Sequence, residues 1–421
     1  MQDATEPAAL PSERRALGLW FWLGAIGFGG PAGQIAMMHR ELVERRRWFS
    51  ERRFLRALSF CMALPGPEAM QLISYSGFSM FGVRGALSAG GLFTLPGAVL
   101  MTGLSYVYVE YGHVTAVSGL VRGLTIAVVA VVLGAVIRIG SRVLHGAAAL
   151  PLGAAAFAAI LLGAPFPAIV AAAALAGIAI GRSRPSWLVG AAGHGDRDAG
   201  ALPAARQHSW REFRSRIAVG LAVWLLPLAA LVLYGGVLGD LAWFFTVAAL
   251  ITFGGAYAVL PFVASAAVSH FHWLSAGQMV AGLGLGETTP GPLVLVNTFV
   301  GYVAGFHAGG TGTAFAGAAI ATYATFAPSF LFIVLGAPLI ERIPDRGPVA
   351  DALTAVTIAV VGVVAALGVY VGRHVLVHHG SVDLFACALA AIAFAALRLT
   401  RIDVVVVIAA CAAAGLLDRL L

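Results

Sequence analysis

The sequence predicts an all-α polytopic membrane protein with an inverted two-fold repeat and broken or re-entrant helices at FGG and PGP motifs. Three observations support this prediction: an apolar composition, a repeat at one fixed offset, and Gly/Pro clusters inside apolar segments. The chain has 421 residues, of which 60% are hydrophobic and only 11% are charged. Because a soluble domain has about 25% charged residues, most of this protein's surface must face lipid.

Charge placement and cysteine content narrow the function classes. The net charge of +7 is spread over short clusters between apolar runs, which is typical of loops that set membrane topology. We therefore expect the lipid bilayer, and not nucleic acid, as a partner. The sequence contains no P-loop and no hydrolase motif, which argues against ATP-driven transport and against an enzyme. We expect no cofactor, metal or disulfide, since all three cysteines lie in apolar segments.

An internal repeat divides the chain. A shift of 225 residues aligns the window 28–67 with 253–292 without a gap, and ten of the forty pairs are identical. The identical pairs include two Gly/Pro clusters and a tryptophan, which chance matching of apolar residues does not produce. The predicted segments are a cytoplasmic N-terminus without a signal peptide at 1–16, an N-terminal transporter repeat at 17–181, a cytoplasmic linker at 182–216 and an inverted C-terminal repeat at 217–421.

The charges of the two copies differ, and this difference predicts opposite orientations. The loop 39–53 is rich in arginine, whereas its counterpart 264–278 contains none. The positive-inside rule puts the first loop in the cytoplasm and leaves the second free to lie outside. The expected result is an inverted repeat of the kind found in many secondary transporters.

Hydropathy predicts nine membrane spans and four segments that re-enter their own side. The spans are predicted at 86–108, 119–137, 147–163, 166–181, 217–236, 311–338, 350–371, 383–397 and 402–417. The re-entrant segments are predicted at 17–38, 55–80, 241–263 and 279–304. In this arrangement Arg138 falls in the cytoplasm, as the positive-inside rule requires. A competing arrangement, in which the four segments also cross the membrane, stays open.

FGGPAGQ (28–34) and FGGAYAVLP (253–261) interrupt apolar segments. Glycine pairs lower helix stability, and prolines remove backbone donors. A helix that begins inside the bilayer presents free N–H groups and the positive end of a dipole, which suits an anion. The alternative is a close helix contact mediated by glycine. The predicted binding glycines are Gly29, Gly30, Gly254 and Gly255.

PGP occurs twice, in LPGPEAMQL (64–72) and ETTPGPLVLVN (287–297). Two prolines around a glycine cannot continue a regular helix. Each copy carries one carboxylate, Glu68 after the turn and Glu287 before it. An ionisable group at membrane depth indicates function, so we predict proton coupling or gating. The alternative is a carboxylate that caps the free N–H groups of its own broken helix.

Polar and basic residues beside the motifs complete the predicted site. Arg40 and Glu41 are the charged residues of the loop 39–53 that lie nearest the first break. We predict binding by Arg40 and gating by Glu41, while most of the loop sets topology and a share gathers anions at the cytoplasmic mouth. The other predicted binding residues are Gln34, Gly66, Gln71, Tyr257, Thr288, Thr289, Gly291 and Asn297.

These segments resemble those of a known family. FGGPAGQIAMMHRELVERRRWFS, LPGPEAMQL, FGGAYAVLPF and GETTPGPLVLVNTFVGYVAG are similar to the signature segments of the chromate ion transporters. Because the resemblance covers both halves, it is to the long, two-domain members. It implies chromate efflux from the bacterial cytoplasm, chromate resistance and drive by the proton-motive force, with sulfate as the candidate competitor. By the same resemblance, Arg40, Glu41, Glu68 and Glu287 are the charged positions of the motifs.

The resulting hypothesis is that all four broken segments surround one oxyanion near the middle of the inner membrane. The two motif copies are not expected to be equivalent, since Pro31 follows the first FGG where Ala256 follows the second. A passive anion channel on the same fold and an intramembrane enzyme stay open as other classes. The sequence also leaves a homodimer open.

Overall fold

The computed structural model describes residues 11–28, 30–188, 210–253, 255–337, 347–378, 381–400 and 402–420. Within these ranges the chain is almost entirely helical. The strands β1 (Val377–His378) and β2 (Ser381–Val382) form one short antiparallel hairpin. The prediction of an all-α architecture is therefore confirmed.

The helices fall into two series joined by α8 (Trp210–Tyr234). The first series is α1 (Glu13–Ile26), α2 (Gly30–His39), α3 (Glu51–Ala63), α4 (Glu68–Tyr111), α5 (Thr115–Val143), α6 (Ala149–Leu161) and α7 (Phe166–Ser183). The second series is α9 (Gly236–Ile251), α10 (Ala256–Ser265), α11 (Ala276–Thr288), α12 (Val296–Gly336), α13 (Pro348–Leu376), α14 (Leu384–Leu399) and α15 (Val404–Leu420). π-Helical turns at Arg40–Arg45 and Ala266–His270 extend α2 and α10, and 3-10 turns lie at Pro185–Leu188 and Leu293–Leu295.

Among the described residues, six helices are long and apolar enough to cross a membrane: α4, α5, α7, α8, α12 and α13. Large apolar side chains remain exposed on their outer faces and on their neighbours, for example Leu233 at 88% and Leu162 at 87%. Contiguous exposed apolar surface of this kind is suited to contact with lipid. The chain is therefore a multi-pass membrane protein, as its hydropathy predicted.

The helices α4 and α12 each contain a sharp turn. Residues 81–82 of α4 and 309–310 of α12 leave the helical conformation. In a straight helix, residues eight positions apart are separated by about 12 Å. In α4, however, Gly77 and Gly85 are so close that a side chain added at Gly77 would overlap the carbonyl oxygen of Gly85. The chain therefore folds back on itself. The first arm of α4, at 68–80, is about 20 Å long, which is shorter than a hydrocarbon core of roughly 30 Å.

The backbone repeats at the offset found in the sequence. The helices α3 and α11 begin and end 225 residues apart. Left-handed backbone recurs at Gly66 (φ 118°) and Gly291 (φ 93°), and at the non-glycine pair Arg47 and His272, both with φ 53°. A positive φ at a bulky non-glycine residue is uncommon, so its recurrence supports the predicted duplication.

The two series pack reciprocally, so that a helix of one series contacts the same kind of helices in the other series as its equivalent does. α5 packs against α14 and α15, α13 packs against α6 and α7, and α4 packs against α12. Reciprocal packing of this kind is what a two-fold relation between repeats produces. An ion-pair cluster joins the two series, since Arg122 of α5 contacts Asp383 at 2.9 Å and Asp418 at 3.3 Å.

Candidate functional site

Two helices begin at the FGG motifs. α2 begins at Gly30 (φ 68°), and α10 begins immediately after Gly255 (φ 90°). In both places glycine supplies a left-handed turn that a side chain would disfavour. Each helix start presents backbone N–H groups without intrahelical partners and the positive end of a dipole. The other two predicted glycines, Gly29 and Gly254, lie outside the described residues.

Each PGP turn is hydrogen-bonded to the residue that precedes the FGG motif of the other repeat. The Gly66 N–H donates to the Thr252 carbonyl oxygen at 2.8 Å, and the Gly291 N–H donates to the Gly27 carbonyl oxygen at 3.0 Å. The donors, like the acceptors, are 225 residues apart. We call these contacts the first junction (Gly66 and Thr252) and the second junction (Gly291 and Gly27). They satisfy backbone groups that the broken helices leave unpaired.

Buried glutamines hold both junctions. The Gln34 Nε2 group donates to the carbonyl oxygens of Gly27 at 2.9 Å and Gly291 at 2.5 Å. At the first junction, the Gln71 Nε2 group donates to the Pro65 carbonyl oxygen of the PGP turn at 2.7 Å and to the Ser329 hydroxyl at 3.3 Å. Each amide therefore donates to the protein itself, while each amide oxygen lacks a partner among the described residues. In this conformation both predicted binding residues support the frame of the site.

Tyr257 connects the helix starts to the carboxylates. Its hydroxyl donates to Glu287 Oε1 at 2.9 Å. The same hydroxyl lies beside the backbone of Gly30, since a Cβ atom added to that glycine would be 3.8 Å from it. Glu68 Oε1 lies 2.9 Å from the equivalent point at Gly255. Glu287 is buried and Glu68 is half-buried. Two helix starts, two carboxylates and one phenol hydroxyl are thus brought together.

One arginine lies within electrostatic range of the same cluster. The positive charge of Arg138, in α5, is close enough to Tyr257 and Glu287 for a Coulomb attraction, although its side chain is hydrogen-bonded to neither. The Arg138 side chain is partly buried and forms no hydrogen bond or ion pair with any residue that the structure describes. A guanidinium group with free donors can form two parallel hydrogen bonds with one oxyanion. Arg138 is therefore a candidate ligand for an anion at the helix starts.

The site predicted from the sequence does not include Arg138, because this residue lies beyond the end of the predicted span 119–137. The helix α5 continues to Val143, so Arg138 remains on a helix with apolar turns on both sides. A signal was available, since Arg138 stands between Ile137 and Ile139 in an unbroken helical pattern. The positive-inside rule already explained that arginine as a cytoplasmic charge at the end of a span, so no role in binding was assigned to it.

Three other predicted binding residues direct their donors toward the protein. The hydroxyls of Thr288 and Thr289 donate to carbonyl oxygens one turn back in α11, at 2.7 and 3.0 Å. These bonds satisfy acceptors that the end of a helix leaves unpaired, so in this conformation the two hydroxyls do not offer an anion the predicted hydrogen bonds. Asn297 Nδ2 donates to the Thr325 hydroxyl at 3.1 Å and links the two arms of α12.

Arg40 and Glu41 lie at the other end of α2 from Gly30, about 15 Å along the helix. The Arg40 side chain is exposed and forms no hydrogen bond or ion pair within the described part of the chain. Glu41 is only 4% exposed and accepts from Arg45 Nη1 at 2.8 Å and Arg46 Nε at 3.1 Å. This separation does not allow either residue to contact an anion held at the start of α2.

Comparison with known proteins adds the family. The sequence matches the family described as chromate transporter at residues 15–178 and 239–416. Each matched range covers most of one helix series, and the linking helix α8 lies between them. No solved structure matches the chain.

Curated relatives are similar over most of their length. A chromate transport protein of Pseudomonas aeruginosa is 32% identical over 98% of this chain and 94% of its own. A probable chromate transport protein of Synechococcus elongatus is 28% identical over 84% of this chain and 83% of its own. A chromate transport protein of Cupriavidus metallidurans is 27% identical over 84% and 81%, respectively.

Proposed function

The chain belongs to the chromate transporter family, and on that premise we propose that it exports chromate from the cytoplasm across the inner membrane of a bacterium. One observation carries the proposal: the helix start at Gly30 lies beside the Tyr257 hydroxyl, the helix start at Gly255 lies beside Glu68, and Tyr257 is itself in the first turn of the helix that follows Gly255. Helix N-termini and a guanidinium group supply hydrogen-bond donors for the oxygens of a tetrahedral dianion.

The two carboxylates give the site a way to release its anion. Ionised Glu68 or Glu287 repels a dianion at the helix starts, whereas a neutral carboxyl does not. We propose that these residues gate binding and release. The Tyr257 hydroxyl, which donates to Glu287 in this conformation, can rotate toward the anion when one is bound.

The membrane potential is sufficient to drive the proposed export. Moving two negative charges out of a cell that is negative inside releases about 4–5 kcal/mol per 100 mV. A proton that neutralises Glu68 or Glu287 would strengthen anion binding and would leave together with the anion, against the proton gradient. We therefore propose potential-driven export as the main mode. Proton antiport is the alternative, and it would require the proton and the anion to bind alternately and not together.

Flux through proteoliposomes tests this proposal. We expect a potential imposed at zero pH gradient to drive saturable chromate and sulfate flux, and nitrate, a planar monoanion, to be a poor substrate. We expect Glu287→Gln and Glu68→Gln to lower both KM and the maximal rate, because less repulsion means tighter binding and slower release. Glu13→Gln is the matched control, since Glu13 is exposed at the start of α1.

Three outcomes would contradict parts of the proposal. If flux requires a pH gradient and does not depend on the potential, transport is coupled to protons and is not uniport. Single-channel currents in planar bilayers would identify a passive anion channel. If sulfate is transported and chromate is not, the substrate is sulfate and not chromate.

We further propose that the two repeats have opposite orientations in the membrane. The arginine-rich loop 39–53 and its counterpart without arginine support this arrangement. The helix α8, which the structure describes between the repeats, supports it too, because one additional crossing reverses everything that follows. The exchanged bonds of the two junctions fit a two-fold axis that relates the repeats.

Cysteine labelling at equivalent positions tests the orientation. Arg47→Cys and His272→Cys form a matched pair, because the two residues are 225 positions apart, exposed and identical in φ. In a background without native cysteines, we expect an impermeant maleimide to label His272→Cys in intact cells. Labelling of Arg47→Cys is expected only after the membrane is permeabilised. Labelling of both sites from the same side would contradict the inverted arrangement.

A further inference from the structure

A cavity of about 400 Å³ lies between α1 and the π-helical turn that follows α2. It is separate from the cluster of carboxylates and helix starts, since its walls come from the first turns of α1 and from the residues around Glu41. Nothing in the proposed transport mechanism uses it. Its volume falls within the range of small-molecule sites.

The polar end of this cavity carries excess positive charge. Three guanidinium groups, those of Arg15, Arg45 and Arg46, line it together with one carboxylate, Glu41. Both oxygens of Glu41 already accept from Arg45 and Arg46. The Arg15 side chain forms no hydrogen bond or ion pair with the residues that the structure describes. The polar end is therefore suited to an anionic group such as a phosphate ester.

The other end of the cavity is apolar. Gly18, Leu19 and Trp22 continue from Arg15 along one face of α1, at the three- and four-residue spacing of a helix face. Trp22 lies about 10 Å further along the axis than Arg15 and is 41% exposed. A side-chain carbon at Gly18 would meet no atom within 4 Å, so this glycine leaves a groove between the two ends.

We propose that this cavity binds an anionic phospholipid, with its phosphate on the three arginines and its acyl chain along the groove at Gly18 and Trp22. A free oxyanion would occupy only the polar end and would leave the apolar groove unused. A tryptophan near basic residues is typical of the membrane interface, and basic pockets beside membrane helices bind anionic headgroups. The combination of chemistry and shape therefore favours an amphiphile over a free oxyanion.

Native mass spectrometry of the purified full-length protein tests this site. Wild type is equilibrated with phosphatidylglycerol or with phosphatidylcholine of the same acyl chains, and we expect about tenfold stronger retention of phosphatidylglycerol. Arg15→Gln is expected to weaken that retention about fivefold, because it removes one interfacial positive charge. Arg14→Gln, the neighbouring exposed arginine that does not line the cavity, is the matched control and should leave retention unchanged.

A second variant separates a lipid from a free anion. Gly18→Leu fills the groove without changing charge, and leucine favours the helix, so this variant should fold. We expect Gly18→Leu to reduce phosphatidylglycerol retention at least fivefold. Gly103→Leu, at another glycine with open space around it, should have no effect. Equal retention of the two lipids, or no effect of Arg15→Gln, would overturn the proposal. Competition by millimolar inorganic phosphate together with an inert Gly18→Leu would instead assign a free oxyanion.

Discussion

Replacing Arg138 by glutamine is expected to lower the transport of chromate at low substrate concentration by about 10- to 100-fold. A hydrogen bond to a charged group contributes about 1.5–3 kcal/mol, and each 1.4 kcal/mol corresponds to a factor of ten. Arg138 is partly buried, has free donors within the described structure, and interacts through its charge with both Tyr257 and Glu287. Initial rates of chromate uptake into inverted vesicles measure the effect.

The chain offers a matched control on the same helix. Arg142 lies one turn beyond Arg138 on α5 and is exposed, so Arg142→Gln removes the same charge without reaching the site. We expect Arg142→Gln to change transport less than twofold. Arg138→Lys should fall between wild type and Arg138→Gln, because lysine keeps the charge but loses the planar pair of donors. Equal effects of the two glutamine variants would show that Arg138 acts only as a topology charge.

The membrane helices could be predicted from the sequence because lipid imposes a local rule. Every stretch that crosses hydrocarbon must be apolar over its whole length, and this requirement can be read one segment at a time. The predicted spans 119–137 and 350–371 therefore lie within α5 and α13. Likewise, the first arm of α4 ends at residue 80, the last residue of the predicted segment 55–80.

The helix breaks could also be predicted, since glycine and proline act on their own backbone. The PGP turns separate α3 from α4 and α11 from α12, and the FGG motifs separate α1 from α2 and α9 from α10. What hydropathy could not predict is which breaks meet. The bond from Gln34 to Gly291 joins residues 257 positions apart, and no local pattern encodes such a contact. The repeat offset related equivalent residues, but it did not indicate that each PGP turn bonds to the opposite repeat.

Side-chain roles were hardest to predict where one residue type serves two purposes. An arginine near a helix end can set topology or bind an anion. The sequence assigned Arg138 to topology and Arg40 to binding, whereas Arg138 is partly buried on α5 and Arg40 is exposed at the far end of α2 from Gly30. A threonine beside a broken helix can donate to a ligand or to the last carbonyl groups of its helix, and Thr288 does the latter. Such choices depend on the distance to the centre of the fold, which the chain order alone does not specify.

Replacing Gly66 by alanine is expected to destabilise the protein and to abolish transport. Gly66 has φ 118°, in a region that residues with a side chain rarely adopt, and strain of this kind costs about 1–3 kcal/mol. The new methyl group would overlap the Ser329 hydroxyl and lie 2.8 Å from Gln71 Nε2. The first junction would therefore separate, and its backbone groups would lose their partners inside the membrane. Apparent unfolding temperature in detergent and chromate flux measure both consequences.

Two other alanine substitutions serve as controls. They distinguish the effects of backbone strain and steric overlap at Gly66 from any general effect of replacing a glycine. Gly291, the equivalent residue of the second junction, has φ 93°. The nearest atom to a methyl group there is the flexible end of Leu295 at 3.2 Å, and the next atoms are at ordinary contact distances, so Gly291→Ala should destabilise less. Gly91 lies inside α4 with nothing within 4 Å of an added carbon, and Gly91→Ala should stabilise the helix slightly. If Gly66→Ala unfolds at the same temperature as Gly91→Ala, the junction between PGP and FGG does not hold the two repeats together. Retained flux at normal stability would likewise separate the junction from transport.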